Sequence, residues 1–150
     1  MKAAHPERGS ATVEFISVGV LLMLPLVYLV ITMGRIQAAT FAADGSAREA
    51  ARAFVTADTD DDARRRAAIA VRLGLRDQGF DPSRDGVLTV ECETSRCLTP
   101  EAWVLVRVEV RVGLPGVPGF IGRPLSASVR VRARQLVVVD QFRAGGGANS

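Results

Sequence analysis

Phe15 to Gly34 reads FISVGVLLMLPLVYLVITMG, 20 residues without a charged side chain. At about 1.5 Å rise per residue, an α-helix of this length crosses a hydrocarbon core of roughly 30 Å. A secretory signal that is cut off has a shorter apolar region, about 7 to 15 residues, with a small-residue cut site behind it. Gln37-Ala38-Ala39 imitates such a site and makes cleavage there the competing expectation. Composition points the same way as the apolar run. Hydrophobic residues are 48% of the chain and charged residues 23%, too apolar for a disordered chain and high for a small soluble one. The 150 residues leave room for one modest domain beside the helix, not for a second catalytic unit. Charge counting leaves orientation open, because Lys2 and Arg8 precede the run while Arg35, Arg48 and Arg52 follow it.

The residues just before the run are Arg8-Gly9-Ser10-Ala11-Thr12-Val13-Glu14-Phe15. They resemble the recognition site of prepilin peptidases, in which a short basic leader ends in Gly and a Glu stands five residues past the cut. The resemblance implies cleavage between Gly9 and Ser10, with the apolar helix kept on the product and the leader held in the cytoplasm. Gly9 lets an extended backbone approach the protease closely. The stretch GSATVEF leading into the helix, followed by Ala47-Arg48-Glu49-Ala50-Ala51-Arg52-Ala53, is similar to TadE-like pseudopilins of the tight-adherence (Flp) pilus system. That likeness covers about the first third of the chain. It implies one processed N-terminal helix, a small extracytoplasmic domain, and pairing of Glu14 with the N-terminal amine of a neighbouring subunit. Ser10 stands where many type IV pilins have Phe or Met. Phe15 stands where the major Flp pilins usually have Tyr, and about 140 residues after the cut is long for one of those. A minor subunit is the better match.

Beyond Gly34 the alanine-rich stretch keeps a helical period, with Ile36, Thr40, Ala43, Ala47, Ala50 and Phe54 near one face, so the membrane helix is expected to continue outward as a stalk. Asp44-Gly45-Ser46 predicts a break or kink near Gly45, with Ser46 capping a new turn. Pro25 removes one backbone hydrogen bond inside the apolar helix. A second helix is expected from Thr59 to about Gln78, with Asp60, Asp61 and Asp62 in its first turn and Gly79 ending it. Its packing face is read as Ile69 and Leu73 with Ala63, Ala67, Ala70 and Gly74. Asp58 to Asp62 invites a calcium reading, but an EF-hand loop begun at Asp58 has Ala63 where Gly is required and Ile69 where Glu belongs.

From Gly86 the period becomes two. Val104, Val106, Val108, Val110 and Val112 share one strand face, opposite Leu105, Arg107, Glu109 and Arg111; Val129, Val131 and Ala133 likewise oppose Arg130, Arg132 and Arg134. Val87 to Cys92 is a shorter candidate strand. An antiparallel sheet with one buried face follows, and with the helices the fold class is α+β. The connection from Gly113 to Pro124, with Gly at every third position, reads as a long hairpin loop and a contact surface with Phe120 and Ile121 at its tip. The domain reading is a leader over 1–9, a membrane helix over 10–34, an extracytoplasmic pilin-like domain over 35–143 and a disordered tail over 144–150.

Most enzyme chemistry has no residues to work with. The single histidine, His5, lies in the leader, so the processed chain has no histidine base or ligand. No catalytic, metal or cofactor site is expected. Cys92 and Cys97 enclose four residues, which is not the CxxC redox spacing, and a disulfide is the natural reading in an exported domain. That bond also places the C-terminal part outside the cytoplasm. The net charge of +3 comes from 19 basic and 16 acidic residues in mixed order, and the arginine stripe lacks interleaved aromatics, so no nucleic-acid partner is expected. The partners expected are a prepilin peptidase, other pilin and pseudopilin subunits, and the bilayer. The location expected is the bacterial cytoplasmic membrane, crossed once, with the C-terminal domain extracytoplasmic; the cell surface or pilus is the alternative location. Two rival readings are an unprocessed single-pass anchor whose sheet binds an envelope partner, and a membrane-tethered hydrolase.

Overall fold

A computed structural model describes residues 10–113 and 128–142, with backbone alone for Ser10 and Ala11. The leader, the glycine-rich connection beyond Gly113 and the tail from 144 lie outside the described residues. Two helices precede three strands: α1 (Ser10–Val55), α2 (Asp60–Asp77), β1 (Gly86–Cys92), β2 (Trp103–Gly113) and β3 (Ser128–Val138). The strands form one antiparallel sheet in the order β1-β2-β3. This is the α+β class read from the sequence. Backbone contacts divide the chain into two compact units, Met1–Gly34 and Arg35–Ser150, and the division falls inside α1.

In the first unit, α1 carries an apolar segment that passes unbroken through Pro25. Its large side chains are exposed throughout, from Val13 and Phe15 to Ile31 and Met33.

The second unit holds the core. Here α1 does not break at Asp44-Gly45-Ser46, contrary to the sequence expectation, and Ser46 caps no turn. A glycine inside a helix costs about 1 kcal/mol, and burial on both sides of it outweighs that. Ala39, Ala42 and Ala43 before Gly45, and Ala47, Ala50, Ala51 and Phe54 after it, are all buried. Asp44 accepts a hydrogen bond from Arg48 Nη2 at 3.1 Å one turn on, which suits helix rather than turn. Ser46 is itself buried, and a Cβ on Gly74 of α2 would lie 2.5 Å from its Oγ. Thr40, placed by period on the packing face, is exposed and donates to the Ile36 carbonyl.

The ends of α2 fall within a residue of expectation because their signals are local. Thr59 is the N-cap, its Oγ1 accepting from Asp62 N–H at 3.2 Å, and Asp60, Asp61 and Asp62 fill the first turn. At the other end Gly79 takes a φ of +76, while Phe80 N–H reaches the Leu75 carbonyl and Gly79 N–H the Arg76 carbonyl, both at 2.9 Å. This pair of bonds is the Schellman arrangement, which favours glycine at its left-handed residue. The buried face needs correction. It consists of Ala63, Ala67, Val71 and Leu75, spaced four apart, and leaves Ile69 and Leu73 about half exposed. Small residues at 63, 67, 70 and 74 suggested a face centred one step round the helix. The bulk of Val71 and Leu75 decides instead, with Leu75 Cδ1 occupying the place where a Cβ on Gly86 would sit.

Strand alternation holds along β2, where Val104, Val106, Val108, Val110 and Val112 are buried. Register sets Leu88, Val90 and Cys92 of β1 and Val131, Ala133 and Val137 of β3 on the same inner face. These residues join the alanines of α1 and α2 in one core cluster.

Candidate functional site

The segment expected to be recognised and cut is described only from its helical side. Helix begins at Ser10, the residue expected to be first after cleavage, and Glu14 follows one turn later. Glu14 and Phe15 are exposed, Phe15 by 80%. Gly9 lies outside the described residues, so the structure does not place it relative to Glu14. From Thr12 onward α1 is long and apolar enough to cross a membrane, with a mean hydropathy of 2.5 in its most apolar stretch, and none of that stretch is buried within the protein. Ser17 Oγ donates to the Val13 carbonyl at 2.7 Å, which keeps its hydroxyl satisfied without water.

Cys92 and Cys97 are joined in a disulfide, with their Cα atoms 5.1 Å apart. A contact that spacing did not signal lies beside it. The Asp60 carboxylate, in the first turn of α2, accepts hydrogen bonds from Cys97 N–H at 3.0 Å and Leu98 N–H at 3.3 Å. Arg64 Nη2 lies 3.6 Å from Cys97 Sγ. Of the acidic run proposed and rejected as a calcium loop, Asp60 is thus used on backbone and Asp62 on Arg65 and Arg66. No group of three or more His, Cys, Asp or Glu side chains suited to a metal is present among the described residues.

The outer face of the sheet carries the arginine stripe, and the register brings its members together. Arg107 pairs with Glu91, while Glu109 accepts from Arg132 Nε at 2.9 Å and lies 3.7 Å from Arg130 Nε. The hydrogen bond from Arg132, reinforced by the charges of Arg132, Arg130 and Arg111, holds the Glu109 carboxyl below its ordinary value. A shallow concavity of about 480 Å³ lies over this face, bordered by Val87, Thr89, Arg107, Glu109, Arg132 and Arg134.

No curated protein and no solved structure matches the chain. Residues 9–52 match the family model described as TadE-like protein. That span runs from the glycine of the expected cut, through the whole membrane-length apolar segment, to the buried alanines that enter the core. Over residues 9–52, its N-terminal third, the chain is therefore similar to the TadE-like family.

Proposed function

We propose that the chain is a non-enzymatic minor pseudopilin that takes part in assembly of an Flp-type pilus or a related secretion filament. A prepilin peptidase removes Met1 to Gly9, and the product stays in the bacterial cytoplasmic membrane by α1 with residues 35–143 on the extracytoplasmic side. The observation that carries this reading is the TadE-like match over 9–52, which includes Gly9, Glu14 and the apolar segment together. The oxidised Cys92–Cys97 pair supports an extracytoplasmic location for the sheet.

Glu14 is the residue through which assembly would act. A carboxylate well inside a bilayer costs roughly 2.5 to 3.5 kcal/mol on insertion scales, less near the edge. An ion pair at about 4 Å and an effective dielectric near 20 gains about 4 kcal/mol before desolvation. The two are comparable, so the charge is tolerated when it meets the Ser10 amine of a neighbouring subunit and is a liability alone. Intact mass from cells with and without the peptidase tests the cut. A difference equal to Met1–Gly9 is expected; an N-terminus at Met1 or Lys2 favours the unprocessed anchor, and a cut near Ala39 a secretory signal. Glu14→Val is expected to insert and be cleaved but to lose crosslinks to partner pilins, while Glu14→Asp retains part of them.

A further inference from the structure

The β2–β3 register sets like charges against each other on the outer face. Arg107 lies opposite Arg134, and Arg111 opposite Arg130, on either side of the Glu109–Arg132 pair. Directly opposed like charges destabilise a sheet. Five arginines there share two carboxylates, Glu91 and Glu109, which are engaged by Arg107, Arg130 and Arg132. Arg111 and Arg134 have no carboxylate within ion-pair distance among the described residues. Further along β3 the outward positions turn apolar: Leu136 and Val138 are each 59% exposed, and Trp103, opposite Val138, is 36% exposed. Read at strand spacing, the outward side of β3 is three arginines followed by two aliphatic residues.

We propose that this face is a docking surface for an extended polypeptide segment of a partner subunit, one that presents carboxylates to Arg111 and Arg134 and apolar side chains to Trp103, Leu136 and Val138. The partner being a pilus subunit rests on the pseudopilin reading; the chemistry of the surface does not. An extended chain matches the two-residue spacing at which charge gives way to apolar surface. Single-stranded nucleic acid would need aromatic residues among the arginines, and the one aromatic on this face lies at its end. A bilayer surface fits a concave, mostly charged face poorly.

The test uses the full chain in neutral detergent micelles. Trp103 is the only tryptophan of the protein, so its emission reports events at the end of this face. Poly-L-glutamate is the probe, with oligothymidylate and phosphatidylglycerol vesicles as comparators. Poly-L-glutamate is expected to shift the emission and bind, and Arg111→Gln with Arg134→Gln to weaken it at least tenfold. Arg72→Gln with Arg76→Gln, the same charge loss on α2, is expected to change it less than twofold. Equal weakening by both double variants, no binding, or tighter binding to either comparator overturns the proposal. In the native host the Arg111/Arg134 variant is expected to be cleaved after Gly9 and to lose crosslinks to partner pilins. Cleavage with wild-type crosslinks overturns the docking surface and leaves the pseudopilin reading intact, whereas an uncleaved wild-type chain overturns that reading instead.

Discussion

Two stretches of α1 use hydrophobicity in opposite ways. Between Val13 and Met33 the side chains are large, and they are exposed. Between Ala39 and Ala51 six of the thirteen residues are alanine, and all six are buried to 3% exposure or less. Apolar area alone would rank the first stretch as core. A helix that is hydrophobic all round needs an apolar solvent on every side. A helix of alanines on one face needs a close neighbour, since each methyl gains contacts only at short range. Bulk therefore marks the part of this helix that is long and apolar enough to cross a membrane, and smallness marks the part that packs in the core.

The sharpest way to break that comparison is to place one charge in each stretch. Ala50→Asp puts an unpaired carboxylate at a fully buried position, which costs about 4 kcal/mol or more against a total stability of about 5 to 15. Loss of the cooperative melt and rapid proteolysis of the 35–143 region are expected. Leu26→Asp adds a charge where the surface is already exposed; it is expected to leave that melt in place and to lower membrane retention on carbonate extraction.

Close approach is the next thing to test. Gly74→Ala forces a Cβ to within 2.5 Å of Ser46 Oγ, and overpacking of this kind costs about 1 to 3 kcal/mol. Ser46 Oγ is buried without a partner, so Ser46→Ala alone is expected to be neutral or stabilising. Combined with Gly74→Ala it should recover most of the loss, and simple additivity in thermal melts would refute the contact. Replacing Cys92 and Cys97 by serine opens a short loop, and the chain-entropy argument gives a loss of about 2 kcal/mol. Denaturant midpoints of the oxidised protein and the double variant measure it.

The smallest effect is at the sheet surface, where the acidic limb of stability carries the sign. The folded-state carboxyl of Glu109 titrates below its ordinary value because Arg132 donates to it. Its contribution is therefore present above the unfolded-state value and is lost as pH falls through the lower, folded one. Glu109→Gln is expected to flatten the pH dependence of the melting temperature in that window, lying slightly below the wild type near pH 7 to 8 and converging with it in acid. An unaltered acidic limb would show that the pairing is absent in solution.

Legibility in the sequence followed the range of the interaction that decides each feature. The caps of α2 at Thr59 and Gly79 and the alternation of β2 were readable because they are set within a few residues. The unbroken passage of α1 through Gly45 was not, since it depends on Gly74, nearly thirty positions away. The choice of Val71 and Leu75 over Ile69 and Leu73 was hidden for the same reason, as the sheet beneath them selects the face. Of the candidate site, the cysteine pair was legible from its spacing and export context, and the opposed arginines only once the β2–β3 register was known. Asp60 looked like one of a run of interchangeable acids; nothing local distinguishes the one that reaches Cys97 and Leu98.

That contact makes the disulfide a gauge of one corner of the domain. Cys97 is 2% exposed, and its backbone N–H is held by Asp60, so attack at its sulfur requires α2 and the loop from Glu93 to Leu98 to part, whereas Cys92 is only partly buried. The part of the native-state reduction rate that runs through Cys97 then measures how often that corner opens, not how strong the bond is. An Asp60→Asn chain, whose amide binds the two N–H groups more weakly, should be reduced faster than the wild type even where the two melt alike. The same coupling runs backwards: the closed disulfide fixes the loop that receives the first turn of α2, so the bond and the Asp60 contact hold the same corner from its two sides.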